Sequence, residues 1–242
     1  VVLLFADTKM EDEDLYRFLH ESAANVGAPL IHIADGRTPW QVMRDEKFLA
    51  NSRVDPCSRT LKRQLLNRWR DVHCLAKETV IHLGLDWTEH RRLERVQARG
   101  FPWRYDGPMT ELPHLSKRQM LDWAKSEGLR PPRLYSLGFT HNNCGGFCVK
   151  AGQAQFALLL RTMPQRYRWH EEQEEELRKI VGDYSILSVE RRGRRTTLTL
   201  RDFREQIQKQ RTVFDLTDEE LKGNPDDWEF DWGVCGCGIP ED

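Results

Sequence analysis

The chain opens on an unbroken apolar run, Val1 to Phe5, that ends at Ala6-Asp7-Thr8. A run without polar alternation predicts a strand covered on both faces, the kind found in parallel sheets. From Glu11 to Asn25 the apolar positions Leu15, Phe18 and Leu19 fall at helical spacing, and acidic residues fill the first turn. Pro29 to Ile33 predicts a second strand. Strand, helix and strand within about thirty residues make a βαβ unit, with parallel strands and a right-handed crossover.

Downstream, helices are predicted over Thr38–Leu49, Arg59–Trp69 and Trp87–Arg99, with a third strand within Glu78–Leu85. A further helix over Ser116–Ser126 has Ser116 as N-cap, Gly128 as stop and Pro131-Pro132 behind it. Beyond Cys148 the character changes. Ala151–Met163 and Arg166–Ile180 predict two helices around Pro164. Ser185–Val189 and Thr196–Leu200 predict a hairpin around a tip of four arginines, and Leu200–Gln210 another helix. The expected division is an α/β domain over 1–150 and a helical C-terminal appendage over 151–242 that ends in a Cys-Gly-Cys arm.

Composition adds limits. Of 242 residues, 39% are hydrophobic and 31% charged, with eight Trp and ten Phe, which suits a packed core rather than a disordered chain. The net charge of −1 gives no global attraction to nucleic acid or an anionic membrane. Locally the balance is uneven. Arg59 to Arg70 holds five basic residues and no acidic one, and Asp215 to Asp231 holds eight acidic residues against one lysine. The basic stretch suits phosphates or a solvated helix face equally. No apolar run is long enough to span a bilayer and no secretory leader is visible, so a cytoplasmic protein without a membrane partner is expected. The opening strand, with no initiator Met, reads as one entered in mid-fold, so a preceding segment is expected.

Six cysteines in such a chain more often bind metal than form disulfides. Cys144 and Cys148 sit in His141-Asn-Asn-Cys-Gly-Gly-Phe-Cys-Val-Lys150, and Cys235 and Cys237 in Trp232-Gly-Val-Cys-Gly-Cys-Gly238. Glycine beside each pair lets backbone N–H groups face thiolate sulfur. Two close pairs far apart in sequence are a plan for a four-thiolate site; the alternative is a set of reduced, buried small residues. Thiolates suit zinc and iron–sulfur clusters alike. Cys57, in Asp55-Pro-Cys-Ser-Arg-Thr-Leu-Lys62, is expected at a helix N-terminus beside Arg59 and Lys62, with a lowered pKa, as a substitute ligand or a reactive thiol. Cys74 reads as core. His141 reads as a structural histidine or a metal ligand.

Several of these stretches resemble the phosphoadenosine phosphosulfate (PAPS) reductase family, within the adenine nucleotide alpha-hydrolase and N-type ATP pyrophosphatase class. They are Val2–Thr8, Pro56–Lys62, His82–Arg92, Leu134–Phe139, His141–Lys150 and the closing Phe230–Cys237. The resemblance implies a three-layer parallel-sheet domain that binds ATP or a sulfonucleotide. It puts Asp7 and Thr8 near the adenosine, and Gly84, Asp86, Glu89 and Arg92 near phosphate or sulfate, with Arg59 and Lys62 as further nucleotide contacts. It also implies an iron–sulfur cluster, 4Fe-4S favoured over zinc, on Cys144, Cys148, Cys235 and Cys237, with Cys57 in reserve. The expected function is sulfur-transfer or adenylation chemistry on an adenine nucleotide, with a nucleic acid or sulfur carrier as a further partner.

Two features depart from that family. Its Ser-Gly-Gly-x-Asp-Ser phosphate loop is not in this sequence, so the chain alone is expected to be inactive. The reductase nucleophile motif is altered to Cys237-Gly-Ile-Pro-Glu241. The rival reading is a non-catalytic, metal-stapled nucleic-acid-binding or assembly subunit that keeps the fold.

Overall fold

The structure is a computed structural model and describes residues 1–50, 54–191 and 194–211. It is a mixed α/β protein rich in helix. Strand β1 (Leu3–Asp7) leads into helix α1 (Glu13–Val26) and strand β2 (Leu30–Ala34). β1 and β2 pair in parallel, from Leu3 opposite Leu30 to Asp7 opposite Ala34. The expected βαβ unit is therefore present. Asp12 caps α1 by accepting the Asp14 N–H at 3.0 Å, and Gly27 closes it in the left-handed conformation with φ 69°.

Helix α2 (Pro39–Asp45) starts in a reciprocal capping box between Thr38 and Gln41. Next comes a continuous helical run: α3 (Pro56–Ser58), a π-helical stretch (Arg59–Gln64) and α4 (Leu65–His73). The π-helical stretch was not expected from the apolar spacing. Such turns are rare and often sit at functional sites, and this one carries Lys62.

A second βαβ unit follows. Strand β3 (Val80–His82) pairs in parallel with β4 (Arg104–Asp106), and a 3-10 turn (Trp87–Glu89) and helix α5 (His90–Arg99) lie between them. Arg70 of α4 reaches this unit. Its guanidinium donates to the Tyr105 hydroxyl at 2.7 Å and lies 4.3 Å from the Trp103 ring centroid. Helix α6 (Lys117–Ser126) begins at the N-cap expected at Ser116, which Gln119 completes into a capping box, and the short α7 (Arg133–Ser136) follows.

After residue 150 come α8 (Gln153–Thr162), α9 (Pro164–Val181), the antiparallel hairpin β5 (Leu187–Arg191) and β6 (Arg194–Leu198), and α10 (Leu200–Arg211). This matches the expected helices and hairpin in kind and order. The segment is not packed on its own, however. The main hydrophobic core joins Trp40, Met43, Leu134, Phe139 and Phe147 to Phe156, Leu159, Tyr167, Leu177 and Leu200. His170 of α9 lies inside it, stacked on Phe147 at 3.7 Å between centroids, and accepts the Trp40 indole N–H on Nδ1 at 2.9 Å.

Among the described residues the strands form three separate two-stranded sheets rather than one continuous parallel sheet. Strands β3 and β4 are three residues long, at the short end of the usual range.

Candidate functional site

The C-terminal end of β1, the start of α3 and the loop before α8 meet around one pocket. Cys57, Cys144, Cys148 and Lys62 line it, together with Thr8, Asp55 and Lys150. Three of the five cysteines proposed as ligands are thus brought together. Cys235 and Cys237 lie outside the described residues. Cys74 is half-buried at the end of α4 and does not line the pocket.

The backbone explains how the loop delivers its thiols. Cys144, Gly145 and Gly146 take successive left-handed conformations, with φ 48°, 60° and 86°. Only glycine adopts this freely, and Cys144 holds a conformation that costs a non-glycine residue on the order of 1 kcal/mol. Gly145 is doubly required, because a Cβ there would lie 1.9 Å from the Arg166 guanidinium. From α8, the buried Gln155 donates to the Gly146 carbonyl at 2.8 Å and fixes the loop's far side.

Glu11 is the hub on the near side. Its buried carboxylate accepts the Cys144 N–H at 2.7 Å and the Thr8 hydroxyl at 2.9 Å, and lies 3.7 Å from Lys62 Nζ. Asp55 and Lys150 form a second buried pair at 3.1 Å, directly before Cys57 and shortly after Cys148. Arg166 reaches over the loop from α9, and its Nε is buried without a hydrogen-bond partner among the described residues. The pocket therefore sets three thiols among lysines held by buried carboxylates.

The electrostatics follow from burial. The Cys57 thiol is pushed up to about 12 by burial and by Asp55. This corrects the expected lowered pKa. Cys57 does sit at the start of the helical run, but the Ser58 N–H and the neighbouring Lys62 offset burial only in part. Burial also raises Cys144 and Cys148. Burial acts to lower Lys62, and the negative charge of Glu11, and of Cys144, Cys148 or Cys57 when ionised, acts to raise it. These are neutral thiols beside a charged lysine, and a positive ion or cluster would release their protons.

The donor chemistry fits a thiolate-bound centre, because the pocket offers sulfur donors with cations to balance their charge. The arrangement is a lined pocket and not a closed ligand shell. Among the described residues, no three His, Cys, Asp or Glu side chains are grouped as a ready-made metal site. His141 does not line the pocket. Its ring is lowered by burial, then by Lys62 and Lys117, and its Nδ1 accepts the Asn143 N–H at 3.4 Å.

The residues expected to hold nucleotide are dispersed. Asp7 is buried and engaged, accepting from the Lys9 N–H at 2.7 Å, Lys9 Nζ at 3.0 Å and the Tyr16 hydroxyl at 2.9 Å. Burial acts to raise its carboxyl, and these bonds together bring it below the usual range. Thr8 and Lys62 face the cysteine pocket. Arg59 points elsewhere and pairs with Glu46 at 2.7 Å. Gly84 is exposed after β3. Asp86 caps the next turn by accepting from Thr88 N–H at 2.9 Å, and Glu89 pairs with Arg92. None of Gly84, Asp86, Glu89 and Arg92 lines the cysteine pocket.

Sequence reasoning missed Glu11, Asp55, Lys150, Gln155 and Arg166. Asp55 and Lys150 were adjacent to the two cysteine motifs and were visible as their flanks. Glu11 and Arg166 carried no local signal, since their roles exist only once β1, α9 and the glycine loop meet. In comparison with known proteins, no family model, no curated protein and no solved structure matches this chain. No helix among the described residues is long and apolar enough to cross a membrane.

Proposed function

We propose that this chain carries a thiolate-bound iron–sulfur centre and acts on an adenine nucleotide, as a PAPS reductase-like or ATP pyrophosphatase-like protein in sulfur-transfer or adenylation chemistry. The observation that supports this best is the convergence of Cys57, Cys144 and Cys148 with Lys62 on one pocket at the end of β1. Strand C-termini in α/β proteins face the ligand crevice, so the thiols stand where a nucleotide would be met. The three-layer fold belongs to the same proposal: β1–α1–β2 and β3–α5–β4 are the two units from which such a sheet would be assembled.

Cys57, Cys144 and Cys148 would hold three corners of the centre, and Cys235 or Cys237 the fourth. A cluster there would supply charge and redox capacity beside the nucleotide. Glu11 fixes the Cys144 backbone, and Lys62 and Lys150 offset negative charge on sulfur. Zinc is the alternative occupant of the same thiolates. Of the proposed nucleotide contacts, Thr8 and Lys62 line the pocket and are the best placed, while Asp7 is held by Lys9 and Tyr16. Arg59, Asp86, Glu89 and Arg92 are held in pairs or caps of their own and would have to exchange partners to bind.

The test is calorimetric titration of anaerobically purified protein with ATP and with a sulfonucleotide. Saturable binding that Lys62→Gln weakens is expected. Absence of heat with both ligands would overturn the nucleotide reading while leaving the metal reading to its own measurement.

A further inference from the structure

The second βαβ unit carries a surface that the proposed function does not use. Trp87, on the 3-10 turn before α5, stacks on His114 with ring centroids 5.1 Å apart and planes 8° apart. Both residues are exposed, and Trp87 keeps 41% of its surface open although His114 covers it. Neither ring belongs to the hydrophobic core, so the stacked pair leaves an aromatic surface in solvent.

Basic side chains extend from it in two directions. Arg91 and Arg95 follow Trp87 at four-residue steps, which places them on one face of α5 about 6 Å apart along the axis. The Arg95 side chain leans back to donate to the Arg91 carbonyl at 3.3 Å, so the two share that face. Leu93 and Val96 occupy the buried side of the same helix. On the His114 side, Lys117 and Arg118 open α6 and are exposed. Of the nearby carboxylates, Glu89 pairs with Arg92 and Asp122 with Lys125, Glu94 lies 3.4 Å from the His90 ring, Asp86 caps the turn before α5, and Glu111 is exposed. Among the described residues, Arg91, Arg95, Lys117 and Arg118 form no ion pair.

We propose that this surface binds single-stranded polynucleotide, with an unpaired base stacked against the Trp87–His114 pair and backbone phosphates held by Arg91 and Arg95. Charge complementarity selects a polyanion, and the aromatic pair selects one that presents open ring faces. A duplex buries its bases and offers only phosphate. Lys117 and Arg118 would take the strand onward past His114. This reading goes beyond the nucleotide and metal proposal and does not depend on the occupant of the cysteine pocket.

The test is fluorescence anisotropy of the full chain with a 5′-labelled twelve-residue oligothymidylate, across a salt series, beside a duplex of equal length. Tighter binding to the single strand is expected. Trp87→Ala should weaken it about tenfold or more, and Trp87→Phe, which keeps a ring, should retain most of the affinity. Arg91→Gln with Arg95→Gln should flatten the slope of log affinity against log salt by about 1.4, the share of two phosphates. Circular dichroism of these surface variants should match the unaltered chain. No binding at low salt, preference for the duplex, or affinity unchanged in Trp87→Ala would overturn the proposal.

Discussion

Glu174 offers a quantitative test of how the segment after residue 150 is built into the core. It lies on α9 with no exposed surface. One carboxylate oxygen accepts the Ile186 N–H at 3.0 Å and the other the Leu200 N–H at 2.6 Å. These amides flank the hairpin β5–β6, so a single side chain ties both of its ends to α9. Burial pushes the carboxyl up to about 7 from a reference of 4.5, against the two N–H groups and Arg178, with Glu175 adding to the rise. The sign follows from proton counting. Between pH 4.5 and 7 the folded state holds a proton that the unfolded state has lost, so stability falls as pH rises through that window. At 1.36 kcal/mol per pKa unit this amounts to about 3 kcal/mol. Glu174→Gln cannot ionise and gives up one acceptor, at a cost of about 1–2 kcal/mol. The variant should therefore be less stable than the parent at about pH 4.5, and as stable or more so at about pH 8. Urea unfolding followed by tryptophan fluorescence at both pH values measures the difference. A difference that stays the same at both would refute the raised carboxyl and the burial argument behind it.

Glu11→Ala should free the Cys144 amide and leave Lys62 facing the thiols alone, costing about 3 kcal/mol, and should speed labelling of Cys144 by a thiol reagent. Unchanged labelling would show that Glu11 does not hold the loop. Gly145→Ala combines a left-handed backbone with a clash against Arg166 and should lower stability by at least about 1–2 kcal/mol, read as a fall in melting temperature. An unaltered melting temperature would count against the tight loop. Arg133→Ala removes two 2.8 Å bonds to the buried N-cap Asp12. Because Arg133 is half exposed, a loss of only about 1 kcal/mol is expected in urea unfolding, and a loss near zero would show that water replaces it.

Local patterns were the legible part of this fold. The N-cap at Ser116, the first βαβ unit and the two helices around Pro164 each rest on residues a few positions apart. The three-residue strand β4 escaped notice because Arg104-Tyr-Asp106 has no alternation to reveal it, and the π-helical stretch because a π turn barely alters apolar spacing. Long-range placement was not legible. The apolar faces of α8 and α9 were visible, but not that Tyr167 and Leu177 would share a core with Trp40 and Phe147. In the site, the glycine-rich cysteine motif and Pro56-Cys57 meet at one pocket. The charge setting of Cys57 was not legible, because flanking lysine and arginine were counted without the burial that outweighs them. Arg59 shows the same limit: its sequence neighbours suggested phosphate, while its three-dimensional neighbour is Glu46.

The central claim is that Cys57, Cys144 and Cys148 are ligands of one centre. Iron, zinc and acid-labile sulfide should be measured per chain in anaerobically purified protein and in Cys57→Ser, Cys144→Ser and Cys148→Ser. The account predicts iron with matching sulfide in the parent and a loss of both in each variant. Stoichiometric zinc lost in the same variants would keep the thiolate site and replace its occupant, and a parent protein free of iron and zinc alike would contradict the claim.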